Sequence, residues 1–244
     1  MVDIIRDSLA GKVAVILGVG PGQGMASVRM MINFGAKVAI VSRSGNMFGL
    51  VESSTIKAFK ADLSKPEQIS AVRDAILKTY GQIDTVISNV GKWEASGKEF
   101  PDDTFFMSML QTNLLSHLRI IESFSEPMKK NGGSFVLVGA SPHIMPGNDL
   151  SYNISKAAVP ELVRKTAETL RKYNIRVNGV MPGSVGKEDT YYKVFPFNFT
   201  KFSESTNLEP IEIAMVNAFL ASEMSLGING QCINVDRGLN TITK

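Results

Sequence analysis

The sequence predicts an α/β domain in which one parallel sheet is covered by helices on both faces, and three observations carry that prediction. Strand-like runs alternate with helical patterns along the chain: "KVAVIL", "KVAIV", "IKAFKAD", "IDTVIS", "SFVLVGA", "IRVNGVM" and "QCINV" each precede or follow a helix candidate. These runs are continuously apolar, as strands buried on both sides should be. The length of 244 residues is enough to bury a sizeable core in one undivided α/β unit, so a single domain over 1–244 is expected.

Taken in order, the first run ends in "GVGPGQG", which places Gly18, Gly20, Gly22 and Gly24 within seven residues. The following "MASVRMMINFG" has helical apolar spacing and stops at Gly35. Glycines let a backbone approach a phosphate, and a helix N-terminus offers free N–H groups and a positive dipole end. A tight turn between strand and helix explains the same residues, and this stretch alone leaves both readings open. The spacing does not match glycines at relative positions one, three and six, because Gln23, Met25 or Ser27 falls on the last.

Between the second and third runs, Ser42 to Thr55 is short and polar, with room for no more than a stub of helix. Two long helices are expected at about 102–130 and 151–173. Pro160 falls inside the second and cannot donate to the carbonyl of Lys156, so a kink or a freed carbonyl is expected there. The longest stretch without periodicity, 183–210, has the length of a lid or binding loop. It carries Tyr191, Tyr192, Phe195, Phe197, Phe199 and Phe202, which either face a ligand or pin the loop to the body.

Composition excludes several functions. With 26 basic and 23 acidic residues the formal charge is +3, too balanced for a protein whose main partner is nucleic acid. One cysteine, Cys232, excludes an internal disulfide framework, and its apolar neighbours mark it as a buried strand residue. Two histidines, His117 and His143, exclude a histidine-rich metal site, so no metal is expected. The segment "MVDIIRDSLAG" has no signal-peptide core, and no run approaches the ~18 apolar residues of a membrane span. No membrane association is expected, and the expected compartment is the cytoplasm.

Four further segments give the glycines a context: "GQIDTVISNVG" (Gly81 to Gly91), "YNISK" (Tyr152 to Lys156), "IRVNGVMPG" (Ile175 to Gly183) and "INGQCINVDRG" (Ile228 to Gly238). In this order and at these spacings the chain closely resembles the short-chain dehydrogenase/reductase family, from Lys12 to about Gly238. The family's glycine motif is Thr-Gly-x-x-x-Gly-x-Gly, so the matching residues are Gly18, Gly22 and Gly24, with Gly20 a passenger. The resemblance implies a Rossmann-like, doubly wound parallel sheet of about seven strands, with a nicotinamide cofactor across the strands' C-terminal ends. It implies NAD(P)-dependent hydride transfer between nicotinamide and a ketone or secondary alcohol, a substrate loop at about 184–210, and a homo-oligomer, tetramer or dimer. The long helices offer Met107, Met109, Leu114 and Leu118 for that assembly, although the same residues serve equally as core.

Cofactor choice turns on the end of the second strand. Members that prefer NAD usually carry an acid there, whereas Ser42 and Arg43 follow "KVAIV", and a guanidinium can pair with a 2′-phosphate through two charge-assisted bonds. NADP(H) is therefore expected over NAD(H), although Pro21 stands where many NADP-preferring members have a basic residue. By resemblance, Asp62 with Leu63 contacts the adenine, and Asn89 and Gly91 line the adenine-ribose side, with Ser88 departing from the pattern. Pro182, Gly183 and Val185 border the carboxamide, and the family's threonine beyond them is not in its usual place.

Tyr152 and Lys156 are four apart on one helix face. A tyrosine ordinarily titrates near ~10, and a nearby ammonium that favours the phenolate would lower that value, making Tyr152 a general acid in reduction and a base in oxidation. By resemblance Lys156 also holds the nicotinamide ribose, Ser141 holds the substrate oxygen against Tyr152, and Asn113 organises a water-linked proton path. Ser141 lies eleven residues before Tyr152, about two fewer than the family's spacing, and no other hydroxyl is available in "VLVGA". Trp93, His143 and Met145 come from loops expected to open on the same cleft. A protein that senses a dinucleotide through the same fold without turnover is the alternative reading.

Overall fold

The computed structural model describes residues 8–144, 149–188 and 207–238. Seven strands form one wholly parallel sheet in the order β3-β2-β1-β4-β5-β6-β9. They are β1 (Val13–Leu17), β2 (Lys37–Ser42), β3 (Ile56–Lys60), β4 (Thr85–Ser88), β5 (Gly133–Val138), β6 (Ile175–Pro182) and β9 (Cys232–Val235). Two short strands, β7 (Ser184–Val185) and β8 (Asn207–Leu208), pair separately.

Period-two alternation divides the strand side chains between two cores. On one face Ala14, Ile16, Val38, Ile40, Val136 and Val138 pack under α1 (Gln23–Asn33) and α7 (Pro210–Ala221). On the other, Val15, Leu17, Val86, Phe135 and Leu137 pack under α2 (Pro66–Tyr80), α4 (Ser116–Met128) and α6 (Val159–Leu170). This is the Rossmann-like, doubly wound α/β arrangement. Cys232 is the first residue of β9 and half-buried, and burial pushes its thiol up to about 11. No helix stub forms between β2 and β3.

The long helices depart from regularity in two places. Helix α3 (Asp103–Leu110) and α4 are joined by one π-helical turn, Gln111–Leu115, closed by the Ser116 backbone N–H and hydroxyl, both of which donate to the carbonyl of Gln111. Met109 is buried, Leu114 packs against the core, and Met107 and Leu118 are exposed. Near Pro160, α5 (Leu150–Ala157) ends at Ala158 and α6 begins at Val159, placing the proline in the first turn of a new helix. There its missing N–H costs nothing. The break expected from the sequence is present.

Among the described residues no helix is long and apolar enough to cross a membrane, and no group of three or more His, Cys, Asp or Glu is placed to hold a metal ion. A cavity of about 450 Å³ opens at the N-terminal ends of the strands. Most of its charged groups are engaged with one another or with the backbone: Lys12 lies 3.8 Å from Asp84 and 4.0 Å from Glu223. Arg176, half-buried on β6, donates to the carbonyls of Leu220, Ser222 and Ile228 and to the Ser225 hydroxyl. It thereby closes the C-terminal end of α7, whose last carbonyls have no helical partner. Arg176→Met removes four bonds at this end, although the Ser225 hydroxyl still serves the Leu220 and Ser222 carbonyls and Asn178 still serves that of Ile228, and urea unfolding should show a loss of about 1–2 kcal/mol.

Candidate active site

Strand order reverses at β1, because β2 lies on one side of it and β4 on the other. The backbones leaving β1 and β4 therefore diverge, and they open a crevice at their C-terminal ends. A cavity of about 380 Å³ sits there, lined by Gly18 to Gly20, Ser42, Arg43, Ala61 to Ser64, and Asn89 to Lys92. Three of the four glycines are required by their neighbours. A Cβ on Gly18, whose φ is +80°, would stand 2.8 Å from the Asn89 carbonyl oxygen. On Gly24 it would meet the Val19 Cα at 2.8 Å, and on Gly22 the Lys187 carbonyl oxygen at 3.0 Å, whereas Gly20 faces open space.

The cavity floor is tied together. Asn89 Nδ2 donates to the Gly18 carbonyl, binding the β4 loop to the glycine loop. Ser42 is buried and accepts from the Gly45 backbone, turning the chain so that Arg43 stands exposed at the rim. Asp62 accepts from the Ser64 backbone and hydroxyl, which hold its carboxyl below the ordinary range, with smaller help from Lys65 and Arg43. Leu63 is buried. Pro182 and Gly183 end β6, with the Gly183 N–H on the Val235 carbonyl, and half-buried Val185 lies in β7.

Lys156 is the centre of the other half. It is buried, its ammonium lies 3.4 Å from the Val138 carbonyl, and burial pushes it down to about 8. A Cβ on Gly91 would stand 2.8 Å from Lys156 Nζ and 3.0 Å from Asn113 Oδ1. Asn113 grips both ends of one residue: its Oδ1 accepts from the Lys92 N–H at 2.8 Å and its Nδ2 donates to the Lys92 carbonyl at 3.0 Å. The same Nδ2 donates to the Ser155 hydroxyl beside Lys156. The π turn carries this asparagine, and such turns recur at functional sites. Asp149 caps α5 three residues before Tyr152 and also accepts from the Ser96 backbone and hydroxyl. Burial opposes its charge, but these hydrogen bonds prevail and hold the carboxyl below the usual range.

Two expected site residues have surroundings of note. Ser141 does not present its proton toward Tyr152: it is fully buried, its Oγ donates to Asp236 Oδ2 at 2.5 Å, and it accepts from the His143 N–H. A hydroxyl has one proton, and this one is committed to a buried carboxylate. Nor is Tyr152 lowered. It is buried, its hydroxyl bonds to no described residue, and burial pushes its pKa up, while the Lys156 ammonium lies at the Val138 carbonyl. Trp93 is exposed and His143 half-buried, while Met145 and the six loop aromatics lie outside the described residues.

Sequence reasoning missed His117, one helical turn beyond Asn113. It is fully buried with Nδ1 2.7 Å from the Ser88 hydroxyl, and its Nε2 has no partner. Burial, followed by the field of Lys156, pushes it down to about 3. Its burial was signalled only by Ser88 standing in the family's asparagine position.

A twisted parallel sheet with a glycine-lined crevice at its switch point, beside a buried lysine and a tyrosine on one helix, defines a dinucleotide-type oxidoreductase fold. A family model described as enoyl-(acyl carrier protein) reductase matches residues 18–240. The chain is 30% identical over 264 residues to short-chain dehydrogenase reductase 4 of Arabidopsis thaliana, covering 98% of this chain and 85% of that one. It is 27% identical over 242 residues to 7alpha-hydroxysteroid dehydrogenase of Escherichia coli, covering 94% of each. The ligand-free aldohexose dehydrogenase of Thermoplasma acidophilum has the same fold, with TM-score 0.82 and 24% identity over 98% of this chain and 97% of that one. The chain belongs to the short-chain dehydrogenase/reductase family.

The buried neutral His117 carries a pH signature. Below its ordinary value near 6.5 the unfolded chain takes up a proton that the folded chain refuses until about 3, so stability falls as pH falls through that window. Between pH 6.5 and 4.5, above the carboxylate range, the loss should be on the order of 2–3 kcal/mol in urea unfolding, and His117→Leu should flatten the slope.

Proposed function

We propose that the protein is an NADP(H)-preferring oxidoreductase that interconverts a carbonyl and a secondary alcohol, with Tyr152 exchanging the proton. The observation that carries this reading is the buried Lys156 ammonium, four residues from Tyr152 on the same helix face and directly beside Gly91 at the end of the crevice. The crevice residues fit a dinucleotide: the glycine positions leave backbone open where a Cβ would intrude, and no carboxylate ends β2. Gly18, Gly22 and Gly24 would face its phosphates, Asp62, Leu63, Asn89 and Gly91 its adenosine, Pro182, Gly183 and Val185 its carboxamide, and Lys156 its nicotinamide ribose. When bound, that group supplies or accepts the hydride at its nicotinamide ring.

The chain's own contribution is placement and the proton. Tyr152, kept protonated by burial, is a general acid that donates its phenolic hydrogen to the oxygen of a carbonyl as that oxygen gains charge, which suits reduction. Lys156, four residues along the same helix face, supplies a nearby positive charge, which does not offset the burial of Tyr152. Asn113 acts as a positioning residue, since it holds the Lys92 peptide and Ser155 on either side of the ammonium. Ser141 is assigned a packing role, because its hydroxyl donates to the Asp236 carboxylate. The relative named for a hydroxysteroid acts, by that name, on a secondary alcohol, and the same bond class is proposed here.

That commitment of Ser141 also favours a second reading, a dinucleotide-binding protein without turnover. A fluorescence titration with NADPH and NADH, followed by a screen of ketones, separates the two. The enzyme reading expects tighter NADPH binding, lost about tenfold or more in Arg43→Ala. It also expects ketone turnover that falls at least 100-fold in Tyr152→Phe, with NADPH affinity retained. NADPH binding with no turnover across the screen would favour the second reading, and binding of neither dinucleotide would overturn both.

A further inference from the structure

Tyr152 and Lys156 stand on α5, a helix of 8 residues that breaks at Ala158 before α6 begins. So short a helix is marginal by itself, and contacts outside it must fix its place. At its C-terminal end the Ser155 hydroxyl accepts from Asn113 Nδ2 at 3.1 Å, and the Lys156 ammonium lies at the Val138 carbonyl. The Tyr152 hydroxyl bonds to no described residue, so the tyrosine is placed by the packing of its ring and by the backbone that carries it.

At the N-terminal end the hold comes from Asp149. This residue caps α5, with Oδ1 accepting from the Ser151 N–H at 2.8 Å. Capping needs one side-chain oxygen, and serine or asparagine supplies it as well as aspartate. The second oxygen, Oδ2, goes to another element: it accepts from the Ser96 N–H at 2.9 Å and from the Ser96 hydroxyl at 2.6 Å, across 53 positions of sequence. Ser96 belongs to the segment that leaves Gly91 at the crevice and runs to α3, and within 91–100 it alone is half-buried while its neighbours are exposed. Earlier in the same segment Lys92 is gripped by Asn113 through both its N–H and its carbonyl. Two rungs therefore join this segment to α5. One runs from Lys92 through Asn113 to Ser155 beside the lysine, and the other from Ser96 to Asp149 in the turn that leads to the tyrosine.

We infer that Asp149 is a positioning residue for proton exchange by Tyr152, fixing the first turn of α5 against the segment that leaves the crevice. This rests on the reading of Tyr152 as the group that exchanges the proton. A general acid works only within hydrogen-bond reach of the oxygen it serves, and a displacement of about 1 Å can cost ~100-fold in rate. The cap alone does not require an aspartate; the bridge to Ser96 does.

The test separates cap from bridge. Asp149→Ser keeps a capping oxygen but is too short to hold Ser96 as well, and Ser96→Ala removes the hydroxyl while leaving the backbone N–H. The chain has 5 tyrosines, so NMR of ζ-carbon-labelled tyrosine, with Tyr152→Phe as the assignment control, follows this residue in the free protein. Asp149→Ser should move the Tyr152 line while the others stay, and Ser96→Ala should move it less. With NADPH and a ketone that the wild type reduces, kcat should fall about 10- to 100-fold in Asp149→Ser, with NADPH affinity within about twofold of wild type and the melting temperature nearly unchanged. A Tyr152 line unmoved in Asp149→Ser would overturn the assignment, as would an unchanged kcat. Shifts of all the tyrosine lines together with lost NADPH affinity, the mark of a general disturbance, would overturn it too. Failure of the wild type to turn over any ketone would instead overturn the enzyme reading, and the proton-exchange role with it, while the Tyr152 line would still show whether Asp149 holds α5.

Discussion

The burial of a single ammonium organises this site. Placing Lys156 against the Val138 carbonyl costs hydration, which is why its pKa is pushed down to about 8, and the surrounding structure compensates in identifiable ways. Gly91 has a φ of +148°, which residues with a side chain rarely adopt, and a Cβ there would stand 2.8 Å from Lys156 Nζ and force the ammonium to shift. The chain after Gly91 is held by Asn113, which takes both the N–H and the carbonyl of Lys92. Asn113 in turn occupies the π turn between two α-helical segments. Beneath the same ammonium, His117 stays neutral, since a second buried cation there would be opposed by burial and by the charge of Lys156.

The two hydroxyl-bearing residues expected beside this lysine take different paths. Tyr152, whose hydroxyl bonds to no described residue, is pushed up by burial. Ser141 is withdrawn from the pair by Asp236, which also accepts from the Gly238 N–H and packs where a Gly183 side chain would stand. The carboxylate thus fixes the strand ends of β5, β6 and β9 together.

Much of the fold was legible because its signals are local. Apolar runs marked the five inner strands, since a strand covered on both faces has no polar alternation to obscure it, whereas the half-buried edge strands β3 and β9 carry polar residues and were marked by their place between helical patterns. Pro160 marked a helix break through its missing N–H, and the i, i+4 pair Tyr152 and Lys156 marked a common helix face. What escaped depends on distant contacts. Ser141 and Asp236 are 95 positions apart, and nothing near either residue announces their bond. The π turn over Gln111–Leu115 uses residues that fit an α-helix equally well, and it is selected by the hold of Asn113 on Lys92. His117 could be counted but not placed, because its burial under Lys156 arises from the packing of α4 against the end of β4.

The central claim is that the Lys156 ammonium is held in a desolvated pocket built for it. The most direct test is an NMR titration of ε-carbon-labelled lysine in the full-length protein, with the Lys156 signal assigned by its absence in Lys156→Met. A midpoint near 8 for that one lysine, with the exposed lysines near their ordinary value of about 10.4, is the result this account predicts. A Lys156 midpoint among those of the exposed lysines would contradict it, since an ammonium that titrates as in water is not held as described.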